Sequence, residues 1–262
     1  GRPKGGMVAH GNLSRLFSAS GHLFAFSSEE AWTLFHSISF DFSGWEIWGP
    51  LVNGAKLVAV PQDCILSELE FSEVFSREKV TVLNQTPSSF YALQHSLLNM
   101  TDLSHLKYVI FGGEALELDS IAKWFDSKRL DLPHLVNMYG ITDTTVHATF
   151  QSIDKTTWKT QKGLIGKALP DLRLYVCNEQ HKLQPVGAIG ELLISGPGVT
   201  RGYLGQPELT QQKYINLDIG DDKIERFYCS GDLVKVLPEG QLQYLDRKDQ
   251  QVKLRGFRIE LG

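Results

Sequence analysis

"HLVNMYGITDTTVH", residues 134–147, joins an apolar run to a loop of short polar side chains. The run at 134–138 has the length and composition of a buried strand, and the loop follows it directly. A second apolar run, "LKYVIF" at 106–111, is likewise followed at once by the glycine-containing segment "GGEAL". In open α/β sheets, ligands bind beyond the carboxyl ends of the strands. Both polar segments are therefore candidates for a ligand site at one edge of a sheet.

The first 150 residues alternate in this way between strands and helices. Short apolar runs predict strands at 56–60, 80–84, 106–111 and 134–138. Between them, the spacing of apolar residues predicts helices at 67–78, 86–98 and 115–127. Ser67, Thr86 and Ser88 stand near the expected helix starts, where short polar side chains are favoured. The alternation predicts an α/β fold with a largely parallel sheet and flanking helices.

The pattern changes after about residue 165. Short predicted strands at 172–176, 191–195, 233–237 and 241–245 are separated by glycine and proline turns, and one helix is expected near 208–214. This pattern predicts a small antiparallel, barrel-like β subdomain. We therefore expect an α/β subdomain at 1–165 and a small β subdomain at 166–248.

Composition excludes several classes of protein. The 262 residues are 42% apolar and 21% charged, with a formal net charge of −4, which is typical of a soluble domain and gives no footprint for nucleic acid. No apolar run approaches the length of a membrane span, and no signal-peptide core follows the start. Cys64, Cys177 and Cys229 lie far apart and are odd in number, so we expect neither a disulfide framework nor a zinc site, and a cytoplasmic location.

Two segments near the start carry charges beside glycines or helix-start signals. "GRPKG" at 1–5 holds Lys4 and suits either a phosphate group or a charged tight turn. In "FDFSGWEIWGPL" at 40–51, Ser43 and Glu46 have the spacing of a capping box, which would open a helix that buries Trp45 and Trp48. That explanation leaves out Asp41, whose carboxylate could bind an ammonium group.

The polar loops also have both a local and a functional interpretation. "NMYGITDTT" is either a turn before a capped helix or a ligand loop, in which Tyr139 stacks on a planar ring, threonine hydroxyls contact phosphate and Asp143 binds Mg²⁺. "FGGEAL" is either a tight turn or a place of close approach to a ligand. In "YCSGDL" the turn carries Asp232, a carboxylate that could bridge two sugar hydroxyls.

Lys4 and the segments after it occur in the order of one known family. The segments are "FDFS" (40–43), "FGGEAL" (111–116), "NMYGITDTT" (137–145), "GELLISGPGVTRGYL" (190–204), "YCSGDL" (228–233) and "DRKDQQVKLRGFRIELG" (246–262). In this order they resemble the amino-acid adenylation domains of nonribosomal peptide synthetases, in the adenylate-forming superfamily. Each segment alone is a weak signal, so the resemblance rests on their order along essentially the whole chain.

The resemblance implies a ligase reaction in two halves that uses ATP and Mg²⁺. An amino acid carboxylate attacks the α-phosphorus of ATP, which gives an aminoacyl-adenylate and pyrophosphate. The acyl group then passes to the thiol of phosphopantetheine on a carrier protein. Peptidyl carrier and condensation domains, in the same chain or a partner chain, are the implied partners. The first half uses no enzyme nucleophile, so catalysis would come from positioning and charge stabilisation.

The resemblance also assigns roles to individual residues. Tyr139 would stack on adenine, Asp232 would hold the ribose hydroxyls, and Asp143 would bind Mg²⁺. The implied catalytic residues are Lys4, Thr142 and Asp143, and the implied nucleotide-binding residues are Gly113, Tyr139, Gly140, Thr142, Asp232, Tyr244 and Arg247. Asp249 would be the hinge to a further small domain, of which 249–262 would be the start.

The sequence departs from the family pattern at four positions within these segments. Asp143 stands where glutamate is usual and is one methylene shorter, which leaves its reach to a metal open. Ile141 replaces the commoner proline, Ser230 keeps the hydroxyl of a usual threonine, and Asp246 replaces a usual glycine.

The family's substrate-pocket positions fall on residues from several segments. They are Asp41, Phe42, Trp45, Asn84, Ile110, Gly112, Met138, Val146 and His147. In order they match the family's pattern for threonine at all nine visible places. Asp41 would pair with the α-ammonium group, Asn84 and His147 would bond the side-chain hydroxyl, and apolar neighbours would enclose the methyl group. We expect serine as the second substrate.

Two other functions are compatible with parts of the sequence. A fatty-acyl or aryl-acid ligase of the same superfamily has no ammonium group to bind, so Asp41 would be unexpected in one. A non-catalytic relic is the other alternative, against which Tyr139, Thr142 and Asp232 stand intact.

We predict that the 262 residues alone do not adenylate an amino acid, because the resemblance implies a serine- and threonine-rich segment before Gly1 and a late lysine beyond Gly262. ATP–pyrophosphate exchange by the isolated chain measures this. Exchange at the rate of a complete domain would contradict the prediction.

Overall fold

The computed structural model describes residues 4–61, 67–127, 132–153, 158–160, 162–220, 223–248, 251–254 and 257–260. The α-helices are α1 His10–Ser20, α2 Phe42–Val52, α3 Glu68–Glu78, α4 Pro87–Asn99, α5 Ala122–Asp126 and α6 Pro207–Lys213. The strands are β1 Ala31–Leu34, β2 Lys56–Ala59, β3 Val82–Gln85, β4 Tyr108–Phe111, β5 His134–Asn137, β6 Thr149–Ile153, β7 Leu164–Ala168, β8 Arg173–Cys177, β9 Ile189–Ser195, β10 Tyr214–Asp218, β11 Ile224–Val236, β12 Leu242–Arg247, β13 Gln251–Leu254 and β14 Phe257–Glu260.

The chain forms two compact units. One, which we call the parallel unit, comprises Phe24–Met138 and Ser152–Lys162. The other, which we call the antiparallel unit, comprises Gly1–Leu23, Tyr139–Gln151 and Gly163–Gly262. The subdomain boundaries expected from sequence, 1–165 and 166–248, remain a prediction, and the expected hinge residue Asp249 lies outside the described residues.

The parallel unit is built on the strand order β2-β1-β3-β4-β5, in which every pairing is parallel. One face of this sheet packs against helices through a large apolar cluster. Leu83, Val109 and Leu135 come from the strands, and Phe90 of α4 and Trp124 of α5 meet them there. Burial of this cluster is the main favourable term for the unit, since apolar area removed from water drives folding.

The other face of the same sheet carries a different set of side chains. Asn84 is in register with Ile110, and Ile110 with Val136, so these residues project to the same side of neighbouring strands. The indole Nε1 of Trp45 in α2 donates a hydrogen bond of 3.0 Å to Oδ1 of Asn84. Helix α2 therefore covers this second face, and the sheet has helices on both sides.

Helix starts in the parallel unit agree with the sequence at two places and differ at a third. Ser67 caps α3 and Thr86 caps α4, each through its side-chain oxygen. The expected capping box of Ser43 and Glu46 is wrong, because α2 begins at Phe42 after Asp41.

The two side chains of the expected capping box have other partners. Ser43 donates its hydroxyl to the carbonyl of Phe40. Glu46 accepts hydrogen bonds from the backbone N–H groups of Phe35 and His36, just beyond β1. Trp48, expected to be buried, is 46% exposed, while Trp45 is fully buried.

The antiparallel unit contains the strand order β6-β7-β12-β11-β9-β8, with β10 beside β11 and every pairing antiparallel. The long strand β11 pairs with β10 along its first half and with β12 along its second half. Its register with β9 shifts between Cys229 and Leu233. Such an irregularity bends a strand and redirects side chains near it.

The predicted fold class, α/β with a largely parallel sheet, flanking helices and a following antiparallel β unit, is confirmed. Among the described residues, no helix is both long enough and apolar enough to cross a membrane.

Candidate active site

Three residues from separate motifs meet at one carboxylate in the antiparallel unit. The hydroxyl of Tyr139 donates to Oδ2 of Asp232 at 2.5 Å, and Nη1 of Arg247 donates to Oδ1 at 2.8 Å. The side chain of Asp232 is only 3% exposed and that of Arg247 only 9%. A buried charge is stable only when it is paired and hydrogen-bonded, which is the case here.

The backbone explains why these side chains meet. Asp232 lies within the stretch of β11 over which the register with β9 shifts, and it is directly opposite Arg247 of β12. Tyr139 begins a closed loop, because its carbonyl accepts hydrogen bonds from the N–H groups of Ala148 and Thr149. The pKa of Tyr139 is raised well above its usual value, first by burial and then by the charge of Asp232.

Asp232 retains capacity to bind a further ligand. An ionised carboxylate offers about four acceptor positions, and Tyr139 and Arg247 occupy one on each oxygen. The ring of Tyr244 lies 6.5 Å from that of Tyr139, at an angle of 37°. The structure thus brings together four of the residues assigned to the nucleotide: Tyr139, Asp232, Tyr244 and Arg247.

The loop that begins at Tyr139 lies beside the segment that contains Lys4. Gly5 and Met7 bond to the backbone of residues 201–204, which fixes this segment in the antiparallel unit. A Cβ atom placed on Gly6 would lie 3.7 Å from Cγ2 of Thr142. Lys4 and Thr142, both expected to act on phosphate, therefore belong to neighbouring stretches of backbone.

Asp143 is held by two residues that the sequence did not single out. Its Oδ1 accepts a hydrogen bond of 2.9 Å from the hydroxyl of Tyr214, and its carbonyl accepts one from the N–H of Thr200. The Thr200 and Tyr214 hydroxyls lie 2.7 Å apart, and the guanidinium of Arg226 stacks 4.4 Å above the Tyr214 ring. Burial, followed by the charge of Asp143, raises the pKa of Tyr214.

These residues fit a magnesium ion that is shared with a nucleotide. No group of three His, Cys, Asp or Glu side chains that could hold a metal occurs within the part of the chain that the structure describes. Mg²⁺ needs no such group, since it often takes one or two carboxylates together with substrate phosphates and water. The single carboxylate of Asp143, with one oxygen fixed by Tyr214, is a metal ligand of this kind.

A second group of predicted residues lies in the parallel unit around Asn84. Asn84 and Trp45 are both fully buried, and Oδ1 of Asn84 is taken by the Trp45 indole. The Nδ2 amide of Asn84 has no hydrogen-bond partner among the described residues. An unsatisfied buried donor costs about 1–3 kcal/mol, and an acceptor supplied by a ligand would offset that cost.

Several predicted pocket residues lie on the same face of the sheet as this donor. Ile110 is the register partner of Asn84, and Gly112 and Met138 follow two residues after Ile110 and Val136 on adjacent strands. Successive side chains alternate between the faces of a strand, so an extended backbone brings all of these to the face that α2 covers. Ile110 and Met138 are fully buried.

The start of α2 supplies two more of the predicted pocket residues. Phe42 is buried, and the ring of His36 stacks on it at 4.9 Å. Nδ1 of His36 lies 3.1 Å from Oε1 of the buried Glu46. Asp41 precedes the helix and makes no side-chain capping bond to it.

The remaining predicted residues are divided between the units. Gly113 follows β4 in the parallel unit, and a Cβ placed on it would lie 2.9 Å from the ring of Phe40. Val146 and His147 are buried members of the antiparallel unit. Gly140 lies in that unit too, where an added Cβ would clash with the carbonyl of Val146 at 1.9 Å.

Sequence reasoning missed Tyr214, Thr200 and Arg15, which contact predicted site residues. Tyr214 is 71 positions from Asp143 along the chain, and only the fold brings them together. The hydroxyl-rich and aromatic composition near residues 200–214 is a weak signal that occurs in many ordinary loops.

The chain belongs to the family described as "AMP-binding enzyme", whose family model matches residues 1–204.

Known relatives agree with this assignment. The chain is 47% identical over 266 residues to "Dimodular nonribosomal peptide synthase" of Bacillus subtilis (strain 168), covering 100% of this chain and 11% of that protein. It is 38% identical over 263 residues to "Syringomycin synthase SyrB1" of Pseudomonas syringae pv. syringae, covering 100% of this chain and 42% of that protein. The chain thus spans less than half the length of either relative.

Solved structures show the same architecture. The crystal structure of the Vibrio cholerae adenylation domain AlmE in complex with glycyl-adenosine-5'-phosphate matches with a TM-score of 0.86 and 30% identity, covering 99% of this chain and 48% of that one. The holo form of PA1221, an NRPS protein containing adenylation and PCP domains, matches with a TM-score of 0.79 and 25% identity, covering 91% and 40%.

We predict that Tyr139→Phe lowers the free energy of unfolding by about 1.5–3 kcal/mol at pH 8, because Asp232 loses a hydrogen bond to its charged form. The raised pKa of Tyr139 sets the pH range over which its hydrogen bond stabilises the folded chain. The contribution is complete below the unfolded value near 10 and falls as the pH rises through the folded value.

Urea unfolding at pH 8 measures the loss of stability, and urea unfolding above pH 10 measures how that loss depends on pH. Tyr175→Phe, in the same unit but outside the site, is the matched control. Equal stability of Tyr139→Phe and the wild type at pH 8 would contradict the hydrogen bond.

Proposed function

We propose that this chain forms the nucleotide and substrate sites of an enzyme that activates L-threonine with ATP for nonribosomal peptide synthesis. Membership of the AMP-binding enzyme family supports the nucleotide half of this proposal. The observation that carries the substrate half is the buried Nδ2 donor of Asn84, whose other amide atom is held by Trp45.

In the proposed reaction, a substrate carboxylate oxygen forms a bond to the α-phosphorus of ATP, and the bond from that phosphorus to the pyrophosphate group breaks. Asp232 would accept two ribose hydroxyls, and Tyr139 would present its ring to adenine. Lys4 and Thr142 would bind phosphate oxygens through a positive charge and a hydroxyl. Asp143 would hold Mg²⁺, which neutralises phosphate charge when bound. These groups would supply positioning and electrostatic stabilisation, which are the usual means of catalysing transfer at phosphorus.

Threonine fits the chemistry of the residues around Asn84. A donor with no internal partner needs an acceptor, and the side-chain hydroxyl oxygen of threonine is one. Ile110, Met138 and the Trp45 ring are apolar neighbours suited to a methyl group. The carboxylate of Asp41 would pair with the α-ammonium group. The resemblance to adenylation domains assigns Val146 and His147 to the same substrate.

The second half-reaction needs a partner. The relative PA1221 contains adenylation and PCP domains, which supports transfer of the activated acyl group to phosphopantetheine on a carrier domain. Peptidyl carrier and condensation domains are the proposed partners, as expected from sequence. Asp249 remains the proposed hinge for this step.

We predict that the full-length protein catalyses ATP–pyrophosphate exchange fastest with L-threonine. A site that bonds a hydroxyl rejects an analogue without one strongly, so valine should be activated about 10⁴-fold less well. Serine lacks only a methyl group and should be disfavoured by about 10–200-fold. A maximum with an aromatic or acidic amino acid would contradict the substrate assignment.

Asn84→Leu tests the residue that carries this assignment. We expect the preference for threonine over valine to fall by about three orders of magnitude, from about 10⁴-fold to about 10-fold, because the hydroxyl loses its bonding partner. Gln85→Leu is the matched control. Gln85 is also a fully buried amide without a partner among the described residues, but it is one position along the strand and faces the other side of the sheet. Equal effects of the two substitutions would contradict the role of Asn84.

Asp41→Ala distinguishes amino acid activation from the ligation of a fatty or aryl acid. We expect kcat/KM with threonine to fall by about 10–100-fold, as for loss of a bond between charged groups. Asp119→Ala, which removes an exposed carboxylate of the same unit, should have no effect. Unchanged exchange with threonine by Asp41→Ala would contradict the role of Asp41, and wild-type exchange with a fatty or aryl acid but not with threonine would favour the other ligase class.

A further inference from the structure

The backbone between Tyr139 and His147 contains a strained turn. Thr145 has a φ of 64° and Val146 a φ of 66°. This left-handed region is unfavourable for β-branched residues, because their side chains crowd the backbone. The N–H of His147 bonds to the carbonyl of Thr145, which makes Val146 the centre of a γ-turn with positive φ, a rare and strained form.

Strain of this kind persists only where surrounding contacts fix the backbone. The hydroxyl of Thr145 donates a hydrogen bond of 2.8 Å to the carbonyl of Gly198. On the other side, the Val146 carbonyl packs so closely on Gly140 that no side chain larger than hydrogen fits there. Two sides of the turn are therefore held by groups within the antiparallel unit.

Arg15 of α1 holds the third side. Its Nη1 donates to Oδ1 of Asp171 at 3.0 Å, and its Nη2 donates to the carbonyl of His147 at 3.3 Å. The Arg15 side chain is only 9% exposed. A planar guanidinium can bond two acceptors in a fixed geometry, whereas an ammonium cannot reproduce that arrangement.

The function proposed above leaves this buried ion pair without a role. A buried arginine needs a carboxylate partner to offset its desolvation, and Asp171 supplies one. The second bond, to the carbonyl of His147, also satisfies a guanidinium N–H that would otherwise be buried without an acceptor. It ends on the turn that carries two residues assigned to substrate binding, Val146 and His147.

We propose that Arg15, oriented by Asp171, is a positioning residue for amino acid selection. It fixes the His147 carbonyl and, through the strained turn, sets the directions of the Val146 and His147 side chains. This inference rests on the proposed function, because it assumes that those two side chains contact the substrate.

The test compares Arg15→Lys and Arg15→Met with wild type in the full-length protein. ATP–pyrophosphate exchange gives the KM for the amino acid that the wild type prefers, the KM for ATP and the ratio of kcat/KM for threonine and serine. Arg15→Met should raise the amino acid KM by about 10-fold or more, as for loss of a bond from a charged donor. The KM for ATP should stay within about twofold, and the threonine-to-serine ratio should fall. The amino acid KM of Arg15→Lys should lie between those of the wild type and Arg15→Met.

Arg173→Met is the matched control. Arg173 also forms an ion pair in the antiparallel unit, with Glu225, and lies two residues from Asp171, but it has no bond to the strained turn. We expect this variant to leave both KM values unchanged. Thermal unfolding of every variant separates loss of fold from loss of selection.

Several results would overturn the inference. One is an Arg15→Met protein that is folded and has an unchanged amino acid KM; another is an equal rise in both KM values, which would indicate a general structural role. If Arg15→Met does not fold, the same criteria apply to Arg15→Lys.

The wild-type measurements separate this inference from the proposed function. A wild-type preference for another amino acid overturns only the threonine assignment, because the KM comparison uses the preferred substrate. Absence of exchange with any amino acid overturns both.

Discussion

The carboxylate of Asp232 is the constraint on which the antiparallel unit depends most. It is nearly buried, so it must be paired, and its two oxygens accept bonds from Tyr139 and Arg247. Removing one partner of a buried pair typically costs about 3–5 kcal/mol. Through this one acceptor, β11, β12 and the loop that begins at Tyr139 fix one another. The same group has acceptor positions left, and in the proposed function these would take the ribose hydroxyls.

In the parallel unit, the buried side-chain amide of Asn84 likewise takes part in packing and, in the proposed function, in binding the substrate. Trp45 satisfies one end of Asn84 and leaves the other as a donor inside an apolar environment. Such a donor destabilises the free protein slightly and is offset when a ligand brings an acceptor. Because the Trp45 indole already orients this amide, a ligand that brings a hydroxyl acceptor would lose little of the bond energy to ordering the donor.

Much of the parallel unit could be predicted from sequence because its signals are local. Buried strands such as β4 and β5 are continuous apolar runs, and Ser67 and Thr86 cap their helices as expected. The four-residue strand β1 was not predicted because it is short, and helix α1 of the antiparallel unit was not predicted because its sequence is mixed in polarity. The Ser43–Glu46 capping box failed because β1 offered Glu46 stronger partners, the N–H groups of two residues that lack strand partners there.

The site could be predicted only as far as motif order allowed. Motifs identified Tyr139, Asp232 and Arg247, but not the bonds among them, because strand register decides those bonds. Arg15 and Asp171 are separated by 156 positions, and no local pattern connects them. Long-range polar contacts of this kind depend on how the strands and loops are arranged, which a single sequence does not express.

The most direct test of this account is a crystal structure of the full-length protein with a nonhydrolysable mimic of threonyl-adenylate. We expect Nδ2 of Asn84 to lie about 2.7–3.2 Å from the threonine hydroxyl oxygen. The ribose hydroxyls should bond to Asp232. A bound mimic whose hydroxyl is bonded elsewhere, with Nδ2 of Asn84 still lacking an acceptor, would contradict the account.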